Sequence, residues 1–405
     1  MYSSMMKLLP RRNILPLRIY IFFLSSRSTL IALFPDLLDS AVSSYIHITG
    51  HPPPLDEPID DFLYQEPFSA NYSLTRGVRP VACHSHNDYW RPYPLYSAIH
   101  AGCIGVEADI WLYENDLYVG HTTSTLRPNR TFDNLYVNPL VEILDARNPQ
   151  RQQQQQQQQQ HSGQENREPP NGVFTEAPHQ TLVLLVDFKM NGDETWPYLM
   201  KQLDPLRERG YLTYFNGTTR VEGPVTVVGT GNAPFHLIVE NSTYRDVFYD
   251  APLAYLPLLP DIDETQTQSS SSDDQNSTTS SSLSTKPPPL PPFDFTNSYY
   301  ASASFKKFIG TCWAWMLTNS QLDTIRLHVN SAHKRGLFVR YWSSPGFPHG
   351  FRNRLWRLMI QEGVDLLNTD DLVAATSRDW GWKGKWAWVR KDDDDATGMG
   401  FVEGA

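Results

Sequence analysis

Between residues 78 and 368 the chain alternates short apolar runs with amphipathic segments that end at glycine, and this rhythm constrains its fold more than any other feature. The apolar runs are Val78 to Cys83, Cys103 to Trp111, Thr181 to Phe188, Pro224 to Gly229, Pro234 to Glu240, Phe308 to Met316, Leu337 to Trp342 and Val364 to Asn368. A turn at Asn115-Asp116 sends the chain back as one further short strand, Leu117 to Gly120. Helical spacing governs Pro94 to His100, Thr195 to Arg209, Ser320 to Lys334 and Arg352 to Glu362, which Gly102, Gly210, Gly336 and Gly363 close in turn. Apolar strands separated by such helices are parallel and covered by them. Roughly seven or eight of them favour closure, so the expected fold class is α/β, a TIM-type (β/α) barrel. An open doubly wound sheet is the alternative, but no glycine-rich dinucleotide turn follows the first strand.

Two polar tracts interrupt the rhythm. Gln152 to Gln160 is an unbroken glutamine run inside a polar segment at 147–179, and a Ser/Thr/Pro-rich tract occupies 261–292. Neither has apolar groups to offset the entropy of ordering, so both read as low-complexity, disordered insertions at the surface of the barrel. The expected organisation is 1–34 as a signal peptide or weak membrane anchor, 35–76 as a Pro-rich leader, 77–380 as the barrel and 381–405 as a polar tail. At the N-terminus Lys7, Arg11, Arg12 and Arg18 accompany an apolar stretch from Ile14 to Phe34 that Arg18, Arg27 and three serines interrupt. Sequons at Asn71, Asn129, Asn216, Asn241 and Asn276 fit entry into the secretory pathway, as a secreted or membrane-anchored protein. A mitochondrial presequence is the alternative, because no acid precedes Asp36.

Cys83, Cys103 and Cys312 have no metal-site spacing and read as buried small apolar residues; an oxidising compartment would allow one disulfide, with the pair left open. The net charge of −10, with no basic stretch carrying interleaved aromatics, argues against nucleic acid as a partner. It does not exclude a phosphorylated substrate, since a bound cation inverts the local field.

Glu107 and Asp109 stand two apart on an otherwise apolar strand and therefore share a face. Two buried carboxylates repel each other, and a shared divalent cation relieves both; a structural ion network with basic side chains is the alternative. Asp187 and Lys189 repeat the spacing at the end of another strand. Asp187 would complete a three-carboxylate site and Lys189 would meet a phosphate oxygen, or the two would form a local ion pair. His84 and His86 follow the first strand and His121 follows the return strand, where imidazoles can move protons near neutral pH. Trp111 and Trp342 read as packing residues, with lining of the pocket as the alternative.

Three motifs then occur in order: Ser85-His-Asn-Asp-Tyr89, Gly105-Val-Glu-Ala-Asp-Ile-Trp111 and Gly120-His121. Together they resemble the PLC-like phosphodiesterase superfamily, which includes phosphatidylinositol phospholipases C, glycerophosphodiester phosphodiesterases and sphingomyelinases D. The longer run His84 to Arg91 with Val106 to Trp111 is most similar to the fungal altered inheritance of mitochondria protein 6 family. The resemblance covers 78–372 less the two insertions, and implies a TIM-type barrel with a divalent metal, Mg²⁺ ahead of Ca²⁺, on Glu107, Asp109 and Asp187. It implies one catalytic histidine after the first strand, with His121 as its partner. Matching the Ser-His-Asn of the phospholipases selects His86, with Asn87 as a further metal ligand. Matching the first histidine of the glycerophosphodiesterases, or the His-x-x-Asn of the sphingomyelinases, selects His84. The chain lacks the His-Arg-Gly of the glycerophosphodiesterases and has Asp187 where many of them have Glu. The implied activity is metal-dependent phosphoric diester hydrolysis of a small-molecule or lipid phosphodiester, with contact to a membrane surface. Two alternatives are a catalytically silent barrel that binds a phosphorylated ligand, and an interaction protein working through its low-complexity tracts.

Overall fold

A computed structural model describes residues 74–150, 169–259, 292–312, 316–377 and 380. Within them eight parallel strands close into a barrel: β1 (Val81–Ser85), β2 (Cys103–Tyr113), β4 (Leu182–Phe188), β7 (Val225–Gly231), β8 (Val247–Pro252), β9 (Ser298–Ser304), β10 (Phe338–Trp342) and β11 (Leu366–Thr369). β1 pairs with both β2 and β11, which closes the ring. The short β3 (Asp116–Val119) returns antiparallel against β2, and β5 (Tyr214–Phe215) with β6 (Arg220–Val221) forms a hairpin ahead of β7. The expected TIM-type α/β barrel is therefore the observed fold.

Two expected strands were placed wrongly. Pro234 to Glu240 contains the helical turn Phe235–Ile238, and the strand of that unit is β8, further along the chain. In place of Phe308 to Met316 the strand is β9, followed by the short helix Phe305–Phe308. Both true strands carry polar residues turned into the barrel, Asp250 on β8 and Ser302 on β9, which blunt the apolar signal that marks the others. β1 also begins and ends later than expected, so that His84 and Ser85 belong to the strand itself.

The stretch 169–179, expected inside the first insertion, is instead packed on the barrel. Val173 and Phe174 are fully buried, and Arg147 donates to the carbonyls of Gly172 and Phe174. The glutamine run, the Ser/Thr/Pro tract from 260 to 291, the N-terminal segment and the polar tail lie outside the described residues. Of the three cysteines, whose disulfide pairing the sequence left open, two are paired. Cys83 and Cys103, both fully buried, form a disulfide between adjacent strands, while Cys312 is free. Closing this 20-residue separation removes loop entropy from the unfolded chain, a contribution of roughly 3 kcal/mol. The bridge ties together the two strands that carry most of the candidate site.

Candidate active site

Parallel pairing sets Asp109 of β2 beside Asp187 of β4, and Glu107 stands two residues earlier on the same face of β2. Oxygens of Glu107, Asp109 and Asp187 all lie within 4.8 Å of one another at the carboxyl end of the barrel strands. Asp109 is fully buried, and its Oδ2 accepts from the Tyr89 hydroxyl at 2.7 Å and from the Lys189 ammonium at 2.8 Å. Its Oδ1 is buried with no hydrogen-bond partner. Lys189 also donates to Asp187 Oδ2 at 2.6 Å. Burial works against the Lys189 charge, but Asp109 and Asp187 outweigh it and hold its pKa above the ordinary value. Asp187 is pushed up by burial in spite of Lys189, with the charge of Asp109 adding to the rise. Three carboxylates against one lysine leave a local charge deficit of two, which one divalent cation would balance. Gly231 makes room for this geometry. Its φ is +66°, and a Cβ there would lie 2.0 Å from Asp187 Oδ1.

The structure separates the two candidate histidines of the first strand. His86 stands at the mouth, where its Nδ1 meets Asp370 Oδ1 at 2.9 Å and its Nε2 lies 4.0 Å from Glu107 Oε2. Burial would lower its pKa, but the Asp370 hydrogen bond and the charges of Glu107 and Asp370 outweigh it and raise the value. Asp370 shifts the other way. Burial favours its neutral form, yet His86 and Arg91 hold its carboxyl below the usual range. Arg91 fastens the pair by donating to the carbonyls of Asp370 and Thr369 at 2.5 and 3.2 Å.

His84 lies one layer deeper. It is fully buried, both ring nitrogens are without hydrogen-bond partners, and its ring meets Tyr300 edge-on. A Cβ on Gly105 would fall 2.3 Å from His84 Nδ1, so the glycine opens the space that the imidazole fills. Burial and the nearby Arg340 drive its pKa well below the ordinary value. His84 is thus enclosed behind Gly105 and Tyr300, while His86 stands at the mouth.

His121 reaches the mouth because β3 runs back along β2, pairing Val119 with Ile110. Its Nδ1 is 3.5 Å from Asp109 Oδ2 and 3.2 Å from the Tyr89 hydroxyl, and the Trp90 ring lies 5.2 Å away. Asn87 adopts a left-handed backbone and donates its N–H to Glu107 Oε2 at 3.2 Å, and its Oδ1 lies 2.7 Å from the Tyr89 hydroxyl.

Sequence reasoning missed Tyr89, Arg91, Asp370 and Arg340. Tyr89 joins Asn87, Asp109 and His121 through one hydroxyl, and burial together with Asp109 raises its pKa, so it stays a donor. Only its position in the first polar run hinted at a role. Asp370 follows the last strand directly, a placement that could have flagged it. Below the mouth Arg340 donates to Ser302 Oγ at 3.0 Å and Asn368 Oδ1 at 2.8 Å, and lies 3.5 Å from Asp250 Oδ2.

Residues 72–250 match the model of the AIM6-like phosphodiesterase domain. The chain is 36% identical over 335 residues to the altered inheritance of mitochondria protein 6 homolog of Arthroderma benhamiae, covering 79% of this chain and 92% of that protein. It is 35% identical over 338 residues to the altered inheritance of mitochondria protein 6 of Kluyveromyces lactis, covering 74% of this chain and 72% of the relative. The Saccharomyces cerevisiae protein of the same name is 32% identical over 333 residues, covering 76% and 73% of the two chains. With the barrel, the acidic triad and the two histidines at its mouth, this sustained similarity establishes that the chain belongs to the altered inheritance of mitochondria protein 6 family and carries its phosphodiesterase-like domain.

Proposed function

We propose that the protein is a metal-dependent phosphoric diester hydrolase in which His86 and His121 move the protons. The observation that carries this reading is a buried carboxylate triad with an unpartnered oxygen on Asp109, flanked at one barrel mouth by both imidazoles. Buried carboxylates left short of partners are costly, and the donor set of hard oxygens suits Mg²⁺ ahead of Ca²⁺. Glu107, Asp109 and Asp187 would hold the ion, with Asn87 as a further oxygen donor. A cation bound there would polarise a phosphoryl oxygen and offset developing negative charge.

The chain's own residues supply the rest. Lys189 would contact the phosphoryl group as a point charge. Asp370 accepts from His86 Nδ1, which turns Nε2 toward the substrate, and Tyr89 holds the His121 ring. One imidazole takes the proton of the attacking hydroxyl, water or a neighbouring substrate hydroxyl, and the other returns a proton to the leaving oxygen. The substrate class is a phosphodiester, either a glycerophosphodiester or a phospholipid.

A second reading has one observation in its favour. Lys189, lodged between Asp109 and Asp187, partly neutralises the triad without an ion, as a barrel that binds a phosphorylated ligand without cleaving it would require. The two readings part in one experiment. The full chain is assayed on a bis-aryl phosphodiester, glycerophosphodiesters and lysophospholipids with Mg²⁺, Ca²⁺ or EDTA. Turnover that needs the ion and disappears in His121→Ala is the expected result. Ligand binding with no turnover, from folded and ion-loaded protein, would overturn it.

For location, the buried Cys83–Cys103 bridge supports maturation in an oxidising compartment, in keeping with the secretory pathway. The relatives' names, which refer to inheritance of mitochondria, support the mitochondrial alternative. Among the described residues no helix is long and apolar enough to cross a membrane.

A further inference from the structure

We propose that Asn216 and Asn241, and not Asn129, carry N-linked glycans as an adjacent pair, at the end of the barrel opposite the acidic triad. The triplet Asn-x-Ser/Thr occurs at Asn71, Asn129, Asn216, Asn241 and Asn276, and by itself does not tell which of these is used. Asn129, Asn216 and Asn241 fall within the described residues. A glycan is bulky and needs a free amide nitrogen, the third-position hydroxyl close to that amide, and open space around both. The triplets Asn216-Gly-Thr218 and Asn241-Ser-Thr243 meet these conditions in the same way. Asn216 Oδ1 accepts from the Thr218 N–H at 3.0 Å, the Thr218 hydroxyl at 2.9 Å and the Thr219 N–H at 2.9 Å. Asn241 Oδ1 accepts from the Thr243 N–H at 2.9 Å, the Thr243 hydroxyl at 3.0 Å and the Tyr244 N–H at 3.1 Å. Each amide is held through its oxygen, and neither Nδ2 has a hydrogen-bond partner among the described residues. Asn216, Thr218, Asn241 and Thr243 are all exposed. Asn129 differs. Thr131 is buried, its hydroxyl accepts from the Asn134 N–H at 3.3 Å, and Arg130 donates to the Tyr89 carbonyl beside the candidate active site.

The two open triplets also meet in space, although β7 separates them along the chain. Phe215 and Arg245 exchange backbone hydrogen bonds at 2.7 and 3.2 Å. Gly217, with φ +94°, passes so close to the other triplet that a Cβ on it would lie 3.3 Å from the Thr243 carbonyl oxygen. Tyr214, two residues before Asn216, stacks on Tyr244, three after Asn241, at 5.5 Å. One aromatic pair therefore flanks both acceptors and offers their inner sugars an apolar face. Segments that precede β7 and β8 lie at the amino ends of the barrel strands, so glycans here leave the mouth open. In the transfer, the amide nitrogen bonds to the anomeric carbon of a lipid-diphosphate oligosaccharide. The lipid diphosphate leaves with the electron pair of the broken C–O bond, and the amide gives up one proton. The modification rests on entry into the secretory pathway and not on the hydrolase reading.

The test produces the full chain in a eukaryotic cell, once with its own N-terminal segment and once behind an added signal peptide. Both preparations are digested with peptide N-glycosidase in heavy-oxygen water, and each glycosylated asparagine is read by mass spectrometry as a labelled aspartate. The chain with its own N-terminal segment should be occupied at Asn216 and Asn241 and bare at Asn129. Thr218→Ala and Thr243→Ala should each lose one glycan. Occupancy at Asn71 or Asn276 with Asn216 and Asn241 bare would overturn the pair and leave the secretory location standing. A glycan on Asn129 would also overturn the proposal, as would bare Asn216 and Asn241 in both preparations. A pair filled only behind the added signal peptide would sink the secretory location alone and leave the acceptor pair standing.

Discussion

On the β2–β4 side of the barrel mouth three carboxylates crowd against a single lysine, whereas deeper on the β8–β11 side one acid, Asp250, is matched by Arg340. Arg340 is further satisfied by Ser302 and Asn368, and Thr230 donates to Asp250 at 3.0 Å. Both clusters are buried, yet only the first leaves a net charge uncompensated. Each cluster keeps one buried carboxylate oxygen without a partner, on Asp109 and on Asp250, so the excess of negative charge is what sets the first apart. The difference separates the residues that hold the barrel together from those expected to meet a substrate.

The contrast breaks most visibly at Asp109. On the proposed hydrolase reading, Asp109→Asn should cost about a thousandfold in turnover, because it would remove a carboxylate proposed to hold the cation and the charged partner of Lys189. In EDTA its melting temperature should hold or rise, since a repulsive charge is gone. A variant that melts lower but still turns over diester would reassign Asp109 to the structural class. Arg340→Met should behave in the opposite sense. It strands Asp250 and should lower the free energy of unfolding by about 3–5 kcal/mol in urea titrations. Adding Asp250→Asn should recover part of that loss, and no recovery would show that the pair is not coupled.

The smallest effect sharpens the acidic side. Burial, helped by Asp116, raises the Asp133 carboxyl to about 6. A carboxyl raised on folding penalises the folded state above its folded pKa, and the penalty fades as pH falls toward the unfolded value near 3.8. Asp133→Asn should therefore stabilise the protein at pH 7.5, by under about 1 kcal/mol after solvent screening, and have no effect at pH 4. Equal stabilisation at both pH values in thermal melts would refute the electrostatic cause.

How much was legible follows the range of each interaction. Glu107, Asp109 and Asp187 could be read because their strands are apolar apart from them, so a two-residue spacing exposes a shared face. The β8 and β9 strands could not, since their inward polar residues make sense only opposite Arg340, on another strand. Val173 and Phe174 were absorbed into a polar segment because their packing against the barrel is not a local property. The pairing of Cys83 with Cys103 was equally invisible, as it depends on β1 lying beside β2.

The sequence by itself determined the barrel, the acidic spacing and the presence of histidines at strand ends, because side-chain alternation and glycine-closed helices are written within a few residues. Only the tertiary structure placed His84 and His86 at different depths. The two stand two apart where β1 ends, His84 inside the strand and His86 one residue past it, so local pattern treats them alike. What distinguishes them is depth: Tyr300 and Arg340 enclose the first, whereas Asp370, 284 residues away along the chain, orients the second at the mouth.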